Sequence, residues 1–264
     1  MTEPPQQPPV PAGGTRLPRS RVWYGLLHQA EHAAIRGVQG AGLPAWRRHT
    51  AGEPRWPVTL TVIAAIALQV ILPDQLGLLP RYLLPSLEVA LLAGMVIANP
   101  VRIERRSRVM RLASIVLIML VSAANATSAV LLVQAILRGT AGASAGPLLA
   151  TGGAVWATNV IAFALWYWEF DRGGPVHRAH GTFQIADLLF PQMASPELAA
   201  PDWEPMFVDY LYLSFTNATA FSPTDVMPLA RWAKLAMLVQ SAVSLAVGVL
   251  VIARAVNILP VHPA

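Results

Sequence analysis

Long apolar runs alternate with short polar stretches along this chain, and they set its fold class. A helix that crosses a bilayer needs about 20 mainly apolar residues, each rising about 1.5 Å. Five runs come near that length or exceed it: 58–72, 82–99, 109–137, 147–168 and 229–259. The first is short, and the third is long enough to cross with tilt. A sixth feature, at 208–228, is a helix too short to cross, followed by a proline-bearing turn and a full run. That is the sequence form of a re-entrant loop, which is tolerated at membrane depth only where protein covers it or water faces it. The prediction is an all-α fold: a polytopic membrane helix bundle of about five spans plus one short re-entrant, pore-like helix.

The polar stretches divide the chain. Residues 1–20 are rich in Pro, Gln and Gly and predict a disordered N-terminus. Residues 21–56 predict an interfacial helix, with Trp23, Leu26, Leu27, Ala30, Ala34 and Val38 near one face, and then a basic linker. A four-span bundle at 57–168 follows, ending in Trp166, Tyr167 and Trp168, which suit a headgroup interface. Residues 169–207 form an acidic, proline-rich loop. The pore-like helix, its turn and the fifth span occupy 208–259, and 260–264 is a tail.

Composition supports the membrane reading. Hydrophobic residues make up 55% of the 264 and charged residues only 12%, too few charges for an ordinary soluble surface. The net charge of +5 is carried by arginines in blocks between apolar runs, which argues against a nucleic-acid partner. Arg36, Arg47, Arg48 and Arg55 precede the first run; Arg102, Arg105, Arg106, Arg108 and Arg111 follow the second. The alternate loops carry only Arg81 and Arg138. The positive-inside rule then predicts a multi-pass protein of the inner (plasma) membrane with a cytoplasmic N-terminus. The chain has no cysteine, so disulfides, thiolate chemistry and Cys-based metal sites are excluded.

The stretch from Asp209 to Pro228 resembles the pore-loop cation channels, chiefly the two-span potassium-channel module. In that family an aromatic, Ser- and Thr-rich pore helix leads into Thr-Val-Gly-Tyr-Gly-Asp, with a proline three residues later. Tyr212, Ser214, Thr219, Asp225 and Pro228 stand at matching positions. Ala220, Phe221, Ser222, Pro223 and Thr224 replace the filter residues. The family's carbonyl-lined filter relies on glycines free to take positive φ, whereas Pro223 fixes φ near −65°. The resemblance therefore implies a degenerate filter: a weakly selective monovalent cation pore, or a pore fold that no longer conducts. It also implies a homo-oligomer, four subunits if channel-like, with Tyr212 and Ser214 anchoring the pore helix. The whole chain also resembles a family of multi-pass bacterial membrane proteins through Trp-Tyr-Trp-Glu-Phe-Asp-Arg-Gly-Gly-Pro (166–175) and Ala-Phe-Ser-Pro-Thr-Asp (220–225). Potassium-channel loops enter from outside, whereas the arginines here place 169–228 inside, as in an inverted pore loop.

Polar residues inside apolar runs are costly and mark candidate sites. Glu88 reads as a cation or proton site, or as a structural acid near the outer interface that is protonated or paired with Arg81. Asn125 and Asn159 read as a polar pathway or, more simply, as interhelical hydrogen-bonding groups. Ser244 and Gly248, with Ala242 and Ala246 beside them, read as close helix packing, including between subunits, or as a gating hinge. Asp171 to Pro175 reads as a tight turn at a plain chain exit, with headgroup binding or capping of the turn by Asp171 and Arg172 as the sharper alternatives. The acids between Glu169 and Asp209 read as a solvated loop surface or a cation funnel. His28, Glu31 and His32 match a zinc-protease spacing, but no surrounding domain or third ligand accompanies them. No phosphate-binding loop, dinucleotide fingerprint or nucleophile elbow is present, so neither enzyme activity nor a cofactor is expected. The competing reading to a channel is a non-conducting membrane scaffold or sensor that binds a partner or lipid through 169–228.

Overall fold

The computed structural model describes residues 44–259, apart from 78, 99–100, 102, 104–106, 142–143, 183–184 and 220–224. These lie in one compact unit, Pro44–Ala264. The N-terminal segment expected to be disordered, the expected interfacial helix, the His28/Glu31/His32 spacing, filter-like Ala220, Phe221, Ser222, Pro223 and Thr224, and the tail all fall outside the described residues.

The described chain is mostly helical. In order it forms α1 (Trp56–Ile71), α2 (Leu83–Ala98), α3 (Arg108–Leu137), α4 (Ala145–Phe170), the short α5 (Pro175–Ala179), β1 (Leu188–Leu189), the short α6 (Pro191–Ala194), α7 (Phe207–Thr219), β2 (Met227–Pro228) and α8 (Arg231–Asn257). Local chemistry sets several boundaries. Pro57 sits in the first turn of α1, where its missing N–H costs nothing. Leu72, next to Pro73, turns to extended backbone and ends that helix. Ser107 caps α3 by accepting from the Met110 N–H.

Three helices are long and apolar enough to cross a membrane: Arg108–Leu137, Ala145–Gly173 and Arg231–Asn257. The other two apolar helices, α1 and α2, have 16 residues each, about 24 Å of rise against the roughly 30 Å of a hydrocarbon core. Their hairpin is correspondingly shallow. Its connection meets α3 at Ser128, whose hydroxyl donates to the Leu76 carbonyl, well before α3 ends at Leu137.

Helix α4 is the central post, packed by α1, α3, α7 and α8. Most of its residues from Thr158 onward are buried. At Gly152 the backbone of α4 meets α8 so closely that a Cβ there would lie 2.6 Å from Val251. Of the small pair on α8, one member packs within the chain and the other faces open space. Ser244 is buried, whereas a Cβ at Gly248 would meet nothing within 4 Å, so the tight approach inside the chain is at Gly152. The outward side of α8 exposes Leu235, Leu238, Val249, Ile252 and Val256. Such a continuous apolar face suits hydrocarbon and not water.

Chain direction sorts the connections into two ends. Segment 44–55 bonds to the residues after α2 (Ile103 N–H to Glu53 O, 3.1 Å) and to the residues after α4 (Thr50 N–H to Ala179 O, 2.8 Å). At the opposite end lie the α1–α2 turn, where Arg81 pairs with Asp74, and the α3–α4 turn, where Arg254 reaches the Gly139 carbonyl.

Candidate functional site

Helix α7 is amphipathic at helical spacing, and this decides how it sits. Phe207, Tyr210, Leu213 and Ser214 are fully buried on one face, while Val208, Tyr212, Phe215 and Thr219 are exposed on the other. The buried face runs antiparallel along α4. Phe207 stacks edge-on against Trp168, Ser214 donates to the Val160 carbonyl at 2.6 Å, and Phe215 meets Trp156. The helix therefore starts at the C-terminal end of α4 and stops near its middle.

The chain then returns to where it started. By Met227–Pro228 it pairs antiparallel with Leu188–Leu189, and Leu229 and Ala230 donate to the Asp187 carbonyl. Leu188 itself is bonded to Asp171 at the end of α4. The described residues on either side of 220–224 thus begin and end at one end of the bundle, and α8 runs the full length from there.

The inner part of α7 rests on a buried polar track. Gln240 of α8, with no exposed surface, is its hub. Its amide donates to the Ser214 hydroxyl (2.7 Å) and carbonyl (2.9 Å); its oxygen accepts from the Tyr167 hydroxyl (2.7 Å) and from Asn217 (2.8 Å). Asn159 continues the track by donating to Ser244 (3.0 Å), and it accepts from Asn125 at 3.4 Å. Asn125 and Asn159 are thus joined across helices, and Ser214 anchors α7 to both α4 and α8. Tyr212 is 55% exposed on the outward side of α7. Thr219 and Asp225 flank the filter-like stretch and are exposed. Gln240 and Asn217 escaped the sequence reading, although an amide within an apolar run is the same signal that marked Asn125.

Where α7 begins, an ionic knot ties four segments together. The Asp171 carboxylate is fully buried and accepts from the Tyr210 hydroxyl (2.6 Å), the Asp187 and Leu188 N–H groups (3.1 and 3.2 Å) and the Arg172 Nε (3.4 Å). Asp187 reciprocates by accepting from the Arg172 N–H. Arg172 reaches across to the Trp46 carbonyl at 2.7 Å. Beside it, buried Arg178 donates to the Trp168 and Asp171 carbonyls and pairs with Glu53 at 3.8 Å. Glu53 also accepts from the Trp168 indole and the Phe207 N–H. Burial pushes the Glu53 carboxyl above its ordinary range, and Arg178 pulls it partly back. The backbone makes this possible at Arg172, Gly173 and Gly174, which all have positive φ and turn the chain sharply at the end of α4.

The plain chain exit expected at 171–175 is therefore corrected: Asp171 and Arg172 are buried structural groups, closed to lipid headgroups. Glu169 is buried too and accepts from Ser114 at 2.8 Å, so it belongs to no solvated loop surface. Glu88 is fully buried and accepts from Gln69 (3.0 and 3.3 Å). Its expected partner Arg81 turns instead to Asp74 and the Val70 carbonyl. Among the described residues no group of three or more His, Asp or Glu is placed to hold a metal ion.

No protein-family model, no curated protein and no solved structure matches this chain. Function must be argued from its own geometry.

Proposed function

We propose that this chain is a five-span integral membrane protein whose 207–230 segment is a re-entrant, pore-like loop, conducting monovalent cations with weak selectivity as a homo-oligomer. The observation that carries the reading is the placement of the described residues of that segment: a 13-residue helix, about 20 Å long, runs beside α4 to near its middle, and Met227–Pro228 lie again at the end where it began, before α8 runs the full length. A loop of this kind costs too much in bare hydrocarbon and is tolerated where protein or water covers it. The polar track under α7 supplies that protein cover.

One subunit's loop cannot enclose a pore, so the reading requires several copies, four on the channel resemblance. Thr219, Asp225 and the intervening 220–224 would line or brace the constriction. The orientation follows from charge. Arg47, Arg48, Arg55, Arg108, Arg111, Arg172 and Arg178 gather at the end where α7 enters, whereas Arg81, Arg138 and Arg254 lie at the other. The arginine-rich end is then cytoplasmic, in the inner membrane, and the loop dips from inside.

A second reading, a non-conducting scaffold, is favoured by one observation. The inward face of α7 is sealed, with Tyr210, Leu213 and Ser214 fully buried and Asn217 hydrogen-bonded to Gln240. Ion flux through liposomes holding the purified protein separates the two. The channel reading expects passage of K⁺ or Na⁺ that falls in Asp225→Asn. Absence of K⁺, Na⁺ and H⁺ flux under every gradient, unaltered by Asp225→Asn, leaves the scaffold.

A further inference from the structure

From 56 to 98, through α1, α2 and their connection, the charged residues are Asp74, Arg81 and Glu88. Asp74 and Arg81 are exposed and pair with each other at 3.4 Å. Helix α3, which packs along α2, carries its charges at Arg108 and Arg111 in its first turn, at the other end. Ala98, where α2 ends, lies about 15 Å beyond Glu88 along the axis, so the arginines that follow it are remote as well. Glu88 has no exposed surface. Among the described residues its polar contact is Gln69 of α1, whose Nε2 donates to both carboxyl oxygens at 3.0 and 3.3 Å.

A neutral amide does not balance a buried charge. Desolvating a lone carboxylate costs far more than a hydrogen bond returns, so a cation or a proton must cancel it. The contacts choose between the two. An alkali cation needs several oxygens in place of its hydration shell, whereas a proton needs one acceptor. Gln69 can provide that acceptor, because its amide has a donor end and an acceptor end. With Nε2 inward it donates to the carboxylate; turned over, its Oε1 accepts from the carboxylic acid.

Gln69 also lines a cavity of about 360 Å³, together with Asp74, Arg81, Thr127 and Ser128. Asp74 and Arg81 are exposed, so the cavity meets solvent at the arginine-poor end of the bundle. It is roomy and polar enough for water. One side chain thus touches both the cavity and the buried acid.

We propose that Glu88 and Gln69 form a proton-binding site, loaded and emptied through this cavity from the arginine-poor end. The site goes beyond the pore-loop reading, since it lies on the α1–α2 hairpin and requires neither conduction nor several copies.

The test is pH-difference infrared spectroscopy on the full chain in neutral detergent, which separates the C=O stretch of a protonated carboxyl from carboxylate bands. Raising the pH from about 5 to about 10, a range that brackets buried carboxyls, should remove one acid band. That band should be absent from Glu88→Gln and shifted in Gln69→Leu, and replacing Na⁺ or K⁺ by choline should leave it unchanged. After a pH jump, Thr127→Cys blocked with a bulky maleimide should lose the band several-fold more slowly than the same variant unblocked. If Glu88→Gln does not fold, the shift in Gln69→Leu makes the assignment, and an unshifted band then counts against it. No Glu88-dependent band at any pH means a permanently ionised carboxylate, and a band that persists throughout means a fixed structural acid; either overturns the proposal. Loss of the band on adding Na⁺ or K⁺ at constant pH makes the ligand a metal cation and overturns it too. Equal rates in the blocked and unblocked Thr127→Cys protein overturn the route through the cavity. None of these outcomes depends on ion flux, so the site and the channel reading fail separately.

Discussion

Replacing Asp171 by Asn should loosen the whole 207–230 segment from α4. The carboxylate has no exposed surface and holds four donors, two from backbone around β1, one from Tyr210 at the start of α7 and one from Arg172. An asparagine keeps one acceptor oxygen, which can retain the two backbone bonds. It removes the charge facing Arg172, which is itself 3% exposed. Leaving one member of a buried ion pair alone costs about 3–5 kcal/mol. Arg172 keeps its bond to the Trp46 carbonyl, so the lower end applies, about 3 kcal/mol. The absence of cysteine makes a clean assay possible. Ala233, fully buried in the first turn of α8 and in the same apolar cluster as Tyr210 and Leu188, becomes a reporter as Ala233→Cys. If labelling by a maleimide requires the segment to open, about 3 kcal/mol raises its rate roughly 150-fold. A labelling rate within twofold of the parent, with an unchanged melting midpoint, would refute the claim that Asp171 clamps this segment.

Three further outcomes follow from the same geometry. Gly174→Ala should cost about 1–3 kcal/mol, read as a lowered melting midpoint, because φ is +99° there and a Cβ would sit 2.8 Å from the Glu169 carbonyl oxygen. Gln240→Leu should destabilise by more than the roughly 0.6 kcal/mol of an average interhelical hydrogen bond, since Asn217 and Tyr167 both lose an acceptor; a midpoint equal to the parent's would count against the polar track. The third concerns pH. Glu53 in the folded chain has its carboxyl raised above the ordinary 4.5, so the folded state holds the proton more tightly than the unfolded one. The stability this contributes is complete below about 4.5 and is lost as pH rises through the folded value. Glu53→Gln should flatten that fall, and a parental pH profile in the variant would contradict the assignment.

The helices were readable in the sequence because burial in hydrocarbon demands long apolar runs, and proline and serine mark several of their ends. Glu88, Asn125 and Asn159 were conspicuous for the same reason: each interrupts a run at a cost that must be met. What those residues touch was not readable. Glu88 meets Gln69 and not Arg81 because the hairpin turn carries its own acid, Asp74, which takes the arginine. The ionic knot was hidden more deeply. The glycines at 173 and 174 announce a turn, but the burial of Asp171 and Arg172 depends on Trp46 and Tyr210, far away in sequence. Glu53 sits in a stretch that reads as a basic linker, and nothing local marks it as the partner of Arg178 and the Phe207 N–H. On α7, the spacing of Phe207, Tyr210, Leu213 and Ser214 does give the inward face, and the outward position of Tyr212 follows from it.

The central claim is that residues 207–230 enter and leave the membrane on one side. Single cysteines placed in the otherwise cysteine-free chain at Met206, Ser195 and Met227, with one at Arg138 for the far side, test it in sealed, oriented vesicles with a membrane-impermeant maleimide. The account predicts that the first three label from the cytoplasmic side only and Arg138→Cys from the other side only. Labelling of Met206→Cys and Met227→Cys from opposite sides would mean that the segment crosses, and the re-entrant loop would be wrong.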